Sequence, residues 1–299
     1  MKSIFAMDIG GTHTRYGFVS EKGELSHYAS LPTAKWAQGD KAVEKLGNLI
    51  GSALNEHQDM PVQALSLGFP AALDKSCGRI VNAPAIPALT DVPVAAMLQA
   101  RLQKTVLMNR DVVMLYEHAI KSLNLPTRGM TLGFFIGTGM GYLIAIDGRP
   151  YNGAHGMAGE LGHIPLHGLR GRCGCGGIGC AEQYTAGRAL ASIVRKYYPE
   201  EDIGLLFEKH LNDAPLRLYL KRLSELIAGQ LTVLDPDRVL LGGGVVHMAG
   251  FPLDALTQMV KSRLRDSELS RSLRFHIAQD AQQAGVIGAG LYGWREIRA

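Results

Sequence analysis

The sequence predicts an α/β protein built as two related lobes with a cleft between them, and three observations carry that prediction. Stretches of strand character alternate with stretches of helical apolar spacing along nearly the whole chain. Two glycine-punctuated hairpins, one at Gly10-Gly11 and one at Gly137-Thr138-Gly139-Met140, repeat a single pattern. The chain has 299 residues, 46% hydrophobic and 19% charged. That length buries a sizeable core and, at roughly 100–200 residues per domain, suits two lobes better than one.

Residues 3–8 and 13–19 read as strands joined at Gly10-Gly11, and Leu25 to Ser30 supplies a third after the Lys22-Gly23 turn. Val43, Leu46, Leu49, Ile50 and Leu54 then recur at helical spacing, and Val62 to Leu67 reads as a buried strand ending at Gly68-Phe69-Pro70. Pro93 opens a helix to about Gln103, Thr105 to Met108 is a strand, and Asp111 sits where a helix to about Leu123 begins. The second hairpin pairs Thr131 to Ile136 with Gly141 to Ile146.

Residues 148–181 are rich in Gly, His and Cys without a strong period, which in a compact chain marks a functional loop. Helical patterns follow near 186–197, 202–211 and 216–234, then the strand Arg238 to Leu241, then helices near 253–265 and 281–297 with a strand between them. The lobe boundary is expected near residue 112. Residues 1–112 form the first lobe, completed by the C-terminal helix 281–299, and 113–280 form the second.

Composition narrows the function classes. The 31 basic and 27 acidic residues are dispersed, without the basic block of a nucleic-acid surface, and the net charge of +4 suits a small anionic ligand. No run approaches the ~18 apolar residues of a membrane span. Asp8 interrupts the N-terminal apolar stretch where a secretory signal would continue, so a cytoplasmic protein is expected. Cys173, Cys175 and Cys180 cluster while Cys77 stands apart, a pattern of metal binding rather than of a disulfide framework.

Asp8-Ile9-Gly10-Gly11-Thr12 places a carboxylate at a strand end, two residues that admit close backbone approach, and a hydroxyl. Gly10, Gly11 and Thr12 can bind phosphate oxygens while Asp8 orients hydrated Mg²⁺; an ordinary hairpin turn is the alternative. Gly137, Thr138 and Gly139 repeat that logic in the second lobe. Gly242-Gly243-Gly244 follows a strand and precedes a helical pattern, so its bare backbone suits a nucleotide base or ribose, with a tight structural turn as the equal alternative. Asp111, after Asn109-Arg110, is placed to accept a proton from an alcohol attacking phosphorus, or to cap its helix, or both.

His163, Cys173, Cys175 and Cys180 supply one imidazole and three thiolates, the composition of a closed structural Zn²⁺ site. Glu160 and Glu182 flank that set, as acceptors for adjacent sugar hydroxyls or as salt-bridged surface acids. His155, His167 and Cys77 have no evident partners and read as surface or core residues.

Together these motifs resemble the ROK family of the actin-like ATPase and sugar kinase superfamily. The likeness lies in Asp8-Ile9-Gly10-Gly11-Thr12, Gly137-Thr138-Gly139-Met140-Gly141, Gly159-Glu160-Leu161-Gly162-His163-Ile164-Pro165, Cys173-Gly174-Cys175-Gly176, Gly179-Cys180-Ala181-Glu182 and Leu241-Gly242-Gly243-Gly244. The resemblance implies a bilobal actin-like, ribonuclease H-like fold closing over ATP and a hexose. It implies Asp111 as the base, Glu160, His163 and Glu182 at the sugar with Arg110 beside them, Mg²⁺ with the ATP, structural Zn²⁺, and a homodimer or higher homo-oligomer. His163 would serve metal and sugar through its two ring nitrogens.

Within the family the closest likeness is to the bacterial members that phosphorylate D-allose. It rests on Thr12-His13-Thr14-Arg15, Gly68-Phe69-Pro70-Ala71, Arg110-Asp111-Val112, Gly139-Met140-Gly141 and Ala154-His155-Gly156-Met157-Ala158-Gly159-Glu160. Family glucokinases carry Asn where this chain has Arg110, and often Asn at Ala85 and at Val113. Arg110 is a longer, always charged donor than Asn, which favours a hexose other than glucose. Expected chemistry is therefore transfer of phosphate from ATP to the 6-hydroxyl of D-allose. Glucose, N-acetylmannosamine and fructose are the alternative acceptors. A sugar-responsive repressor is disfavoured because the phosphate motif begins almost at the start of the chain, leaving no room for a helix-turn-helix, and a binding protein without catalysis is disfavoured by Asp8 and Asp111.

Overall fold

A computed structural model describes residues 2–279 and 281–298; Met1, Asp280 and Ala299, which the lobe limits above include, lie outside the described residues. The chain forms two compact units, Met1–Pro126 with Asn152–Ala158 and Ala281–Ala299, and Thr127–Tyr151 with Gly159–Asp280. The change of unit falls at Pro126 rather than near residue 112. The helix that starts at Asp111 stays with the first unit because it packs on the C-terminal helix.

In the first unit, β1 (Ser3–Ile9), β2 (His13–Ser20) and β3 (Leu25–Pro32) make an antiparallel meander, and α1 (Ala42–Glu56) crosses to β4 (Val62–Phe69). A short hairpin of β5 (Ala72–Leu73) and β6 (Ile80–Asn82) precedes α2 (Val94–Leu102), β7 (Val106–Arg110) and α3 (Asp111–Ser122). The main sheet runs β3-β2-β1-β4-β7, with β1, β4 and β7 parallel. β4 is buried on both faces, as a central parallel strand must be. Phe5, Met7, Leu65, Leu67 and Met108 meet Leu46, Ile50 and Leu98 of the crossing helices in one core.

The second unit repeats that plan. β8 (Met130–Ile136), β9 (Met140–Ile146) and β10 (Arg149–Pro150) are antiparallel, followed by α4 (Glu182–Thr185), α5 (Gly187–Tyr197), α6 (Leu206–His210) and α7 (Ala214–Leu234). Then come β11 (Arg238–Gly242), α8 (Leu253–Lys261), α9 (Glu268–Ser272) and β12 (Phe275–Ile277). The sheet order β10-β9-β8-β11-β12 matches the first, again with the last three strands parallel. Several details differ from the sequence pattern, among them two in the linkers between elements. Residues 202–211 divide into a 3-10 turn, Ile203–Leu205, and the short α6. Gly242-Gly243-Gly244 leads into successive turns instead of a helix, because α8 begins only at Leu253.

The chain returns to the first unit as α10 (Ala284–Glu296), whose 13 residues include Gly285, Gly288, Gly290 and Gly293. Each glycine costs a helix about 1 kcal/mol relative to alanine, so packing, not propensity, holds α10. A Cβ at Gly285 would meet Asp8 Oδ2 at 2.5 Å, one at Gly293 would meet Ile4 Cγ2 at 2.9 Å, and those at Gly288 and Gly290 would collide with the Met114 carbonyl and Val19. The glycines let α10 lie against the sheet on one side and α3 on the other.

Candidate active site

Strand register aligns the carboxyl ends of β1, β4 and β7: Asp8 lies beside Gly68, and Gly68 beside Asn109. In open α/β sheets this is the edge at which ligands bind. Arg15 is the cross-strand partner of Asp8 and approaches it at 3.7 Å, while the first turn of α10 closes over it at Gly285. Burial pushes the Asp8 carboxyl up from its ordinary value against the opposing pull of Arg15. A nearby cation would pull the carboxyl back down, in the same sense as Arg15.

The turn after β1 is tied from behind. Thr33 donates its Oγ1 to the Gly10 carbonyl (2.7 Å) and its N–H to the Thr12 carbonyl (2.9 Å), and its hydroxyl also contacts Thr14 Oγ1 (3.0 Å), which accepts from Trp36 Nε1 (2.9 Å). With these carbonyls engaged on the protein side, Gly11 and Thr12 are exposed. A Cβ at Gly11 would press on Ala85 at 3.2 Å, so Ala85, one of the departures from the glucokinase pattern, lies against the turn after β1.

Asp111 is the first residue of α3, not its cap; the cap position falls on Arg110, whose backbone is extended and whose side chain makes no capping bond. Asp111 Oδ1 accepts the Val112 N–H at 2.8 Å. Arg110 is buried and Asp111 half-buried. Cys77 has a partner after all: Asn152 Nδ2 reaches its sulfur at 3.5 Å, and burial pushes the thiol up to about 11.

In the second unit the Gly137-Thr138-Gly139 turn caps β8 and receives the start of α5, with Gly187 N–H on the Gly137 carbonyl (2.8 Å) and Arg188 N–H on the Thr138 carbonyl (3.1 Å). The Gly242-Gly243-Gly244 turn adjoins it: Val245 N–H donates to the Ile136 carbonyl at 3.0 Å, and Gly243, at φ +90°, lies so near that carbonyl that no side chain fits. Cβ atoms at Gly137 and Gly244 would meet nothing within 4 Å, so the backbone of both turns is uncovered there.

His163, Cys173, Cys175 and Cys180 place one ligand atom each within 4.8 Å of one another. Cys173 Sγ lies 3.6 Å from His163 Nδ1, and Cys175 Sγ lies 3.7 Å from Cys180 Sγ. A tetrahedral Zn²⁺ with bonds of about 2.0–2.3 Å spaces its ligand atoms about 3.5–3.8 Å apart, so the donor set fits that ion. Burial and the neighbouring thiols push Cys180 up to about 12, as expected where three sulfurs cannot ionise together without a cation. His163 turns Nδ1 to the cluster and Nε2 to Glu160, 3.8 Å from Oε2.

Glu182 is no surface acid. It is buried, and its Oε1 accepts from the Cys173 thiol (3.2 Å) and pairs with Arg188 Nη1 (3.1 Å). Arg188, whose Nε also donates to the Thr138 carbonyl (3.3 Å), thus joins the cysteine cluster to the Gly137-Thr138-Gly139 turn. In the sequence Arg188 is marked by nothing beyond Gly187-Arg188 at a helix start.

Among the described residues no helix is long and apolar enough to cross a membrane. A family model described as ROK family matches residues 4–293. The chain is 28% identical over 305 residues to an N-acetyl-D-glucosamine kinase of Escherichia coli O157:H7, covering 95% of this chain and 97% of that protein. Its fold is similar to a ROK hexokinase from Thermus thermophilus (TM-score 0.80, 26% identity, 99% of each chain). It is also similar to a ROK family glucokinase from Streptomyces griseus in complex with glucose and AMPPNP (TM-score 0.77, 23% identity, 96% of this chain and 98% of that one). With a family model matched over nearly its whole length and the same repeated five-stranded sheets, the chain belongs to the ROK family.

Proposed function

We propose that the protein transfers the γ-phosphoryl group of ATP to the 6-hydroxyl of an aldohexose, with D-allose as the acceptor. The observation that carries this is the placement of two acids at the carboxyl edge of the first sheet. Asp8 stands near the end of β1 and Asp111 immediately after β7, with only β4 between their strands. At about 4.8 Å per strand the two backbones stand about 10 Å apart, a span over which one acid can attend to the phosphates and the other to the attacking alcohol.

Asp111 accepts the proton of the 6-hydroxyl as its oxygen attacks phosphorus, and Val112 N–H keeps the carboxylate oriented. Asp8 organises the metal of the nucleotide; Mg²⁺, when bound with ATP, neutralises phosphate charge. Gly10, Gly11, Thr12, Gly137, Thr138 and Gly139 hold phosphate oxygens through their backbones, and Gly242, Gly243 and Gly244 lie along the adenosine. Arg110, Glu160, the Nε2 side of His163 and Oε2 of Glu182 bond the sugar hydroxyls.

His163, Cys173, Cys175 and Cys180 hold a structural Zn²⁺ that cross-links a loop with little apolar core of its own. The protein acts in the cytoplasm as a homo-oligomer, as the family resemblance implies. Arg110, Ala85 and Val113 depart from the family's glucokinase pattern and so argue for a hexose other than glucose, while the D-allose reading rests on the motif likeness. N-acetyl-D-glucosamine is the second acceptor to weigh, because the 28% identical relative is a kinase of that sugar.

The test is ADP release by the purified protein with MgATP and a panel of D-allose, glucose, N-acetyl-D-glucosamine, N-acetyl-D-mannosamine and fructose. D-allose is expected to give the highest kcat/KM. A panel led by another sugar overturns the acceptor, and ADP release that no sugar stimulates overturns the kinase itself.

A further inference from the structure

Gly285, Gly288 and Tyr292 of α10 stand at i, i+3 and i+7, which places them in one stripe along the helix. That stripe faces the catalytic edge of the first unit. Gly285 lies on Asp8, Gly288 lies on the Met114 carbonyl of α3, and Tyr292 reaches the end of β7. There the Tyr292 hydroxyl accepts from Asn109 Nδ2 at 3.2 Å and donates to the Met108 carbonyl at 3.4 Å. Asn109 Oδ1 in turn accepts the Arg110 N–H at 2.9 Å. Asn109 is 3% exposed and Tyr292 6%, so both groups are dry and a lost partner leaves a buried polar atom unsatisfied.

We infer that Asn109 and Tyr292 form a buried latch that positions Asp111, which makes the C-terminal helix a positioning element for the phosphoryl-transfer step. The peptide between Asn109 and Arg110 is the last one inside β7, one residue before Asp111, so fixing it fixes the path by which the chain enters α3 and delivers the Asp111 carboxylate. Asn109 holds that peptide by its N–H, and Tyr292 holds Asn109 by its amide, so neither end of the amide can rotate without breaking a bond. From the other side β4 offers only Gly68, where a Cβ would stand 3.5 Å from Asp111 Cα and 2.7 Å from Met114 Cγ. The backbone of Asp111 is therefore seated on one strand and pinned through the preceding residues to a helix 183 positions away in sequence. Burial pushes the Tyr292 phenol above its ordinary value, so it stays a neutral donor and acceptor throughout the working pH range.

This role depends on Asp111 being the base, and the experiment separates the two. Tyr292→Phe removes one oxygen and keeps the ring. Asn109→Ala breaks the same latch from the strand side and decides by the same criteria should the first variant not fold. Trp294→Phe is the control: its indole donates to the Val19 carbonyl at 3.0 Å from another face of the same helix, far from β7. All are assayed with MgATP and the best sugar of the panel, alongside Asp111→Asn and melting temperature.

Because a small misplacement of a reacting group costs one to two orders of magnitude, Tyr292→Phe is expected to lower kcat about tenfold with both KM values within about twofold. Trp294→Phe is expected to lose a similar number of degrees in melting temperature and keep its kcat. The latch is overturned if Tyr292→Phe retains kcat, or if it loses no more kcat than Trp294→Phe does. Near-normal turnover by Asp111→Asn overturns the base assignment instead, whatever Tyr292→Phe does.

Discussion

Replacing Gly288 by alanine tests the seating of α10 most directly. In isolation the change favours the helix by about 1 kcal/mol. In this fold the new methyl would occupy the space of the Met114 carbonyl of α3, a backbone atom that no rotamer change can move aside. Overpacking of this kind costs about 1–3 kcal/mol, and a backbone obstacle belongs at the upper end, so the net loss is about 2 kcal/mol. At about 2–4 °C per kcal/mol for chains of this order of size, the melting temperature should fall by about 4–8 °C. Gly229→Ala in α7 is the matched comparison, since a Cβ there meets nothing within 4 Å. It should raise stability by about 0.5–1 kcal/mol, hence the melting temperature by about 1–4 °C. Thermal unfolding followed by circular dichroism reads both variants. If the two move in the same direction, the account of α10 as a helix held by close approach is wrong. Gly288→Ala should also lower kcat, because the helix it displaces is the one that begins at Asp111.

Two further outcomes follow from the cysteine cluster and from the turn at Asp74. Purified protein should carry about one Zn²⁺ per chain by elemental analysis, as a closed four-ligand site requires, and Cys175→Ser should lose it with a lower melting temperature; metal-free protein of undiminished stability refutes the site. At Asp74, burial pushes the carboxyl up, but hydrogen bonds from Ser76 and from the Arg79 and Gly78 N–H groups outweigh it and hold the group below 3.8. A depressed carboxyl adds stability above the unfolded value and loses it as pH falls through the folded one. The stability advantage of the parent over Asp74→Asn should therefore shrink below about pH 3.8, and a pH-independent difference contradicts the assignment.

The sequence exposed those parts of the fold whose information is local. Both glycine hairpins were legible because strand alternation and the turn that interrupts it lie within about twenty residues. The clustering of His163, Cys173, Cys175 and Cys180 was legible because they lie close together in sequence and their chemistry is distinctive. Asp111 stood out for the same reason, at a strand-to-helix junction marked by its own neighbours. What stayed hidden is nonlocal or too short to have a period. The β5–β6 hairpin contributes two and three residues, fewer than any alternation needs. Glu182 reads as a surface acid until Arg188 and Cys173 are seen to enclose it, and Arg188 carries no motif of its own.

The helix 281–297 was expected from its apolar spacing, but its four glycines could only count against it in one dimension. In three dimensions they mark closest approach, and the residue types on the receiving side explain why. Two of the places where α10 touches its surroundings are Asp8 and the backbone of α3, the elements that carry the two acids on which catalysis would depend. The spacing of Asp8 and Asp111 is set by the strands that carry them, β1 and β7 with β4 between, so a bulkier α10 would leave that spacing to the sheet and would instead lift the helix off Asp8 and off the Met114 carbonyl. The glycine content of α10 is therefore better understood as the condition for close packing on both acid-bearing elements than as a concession by the helix.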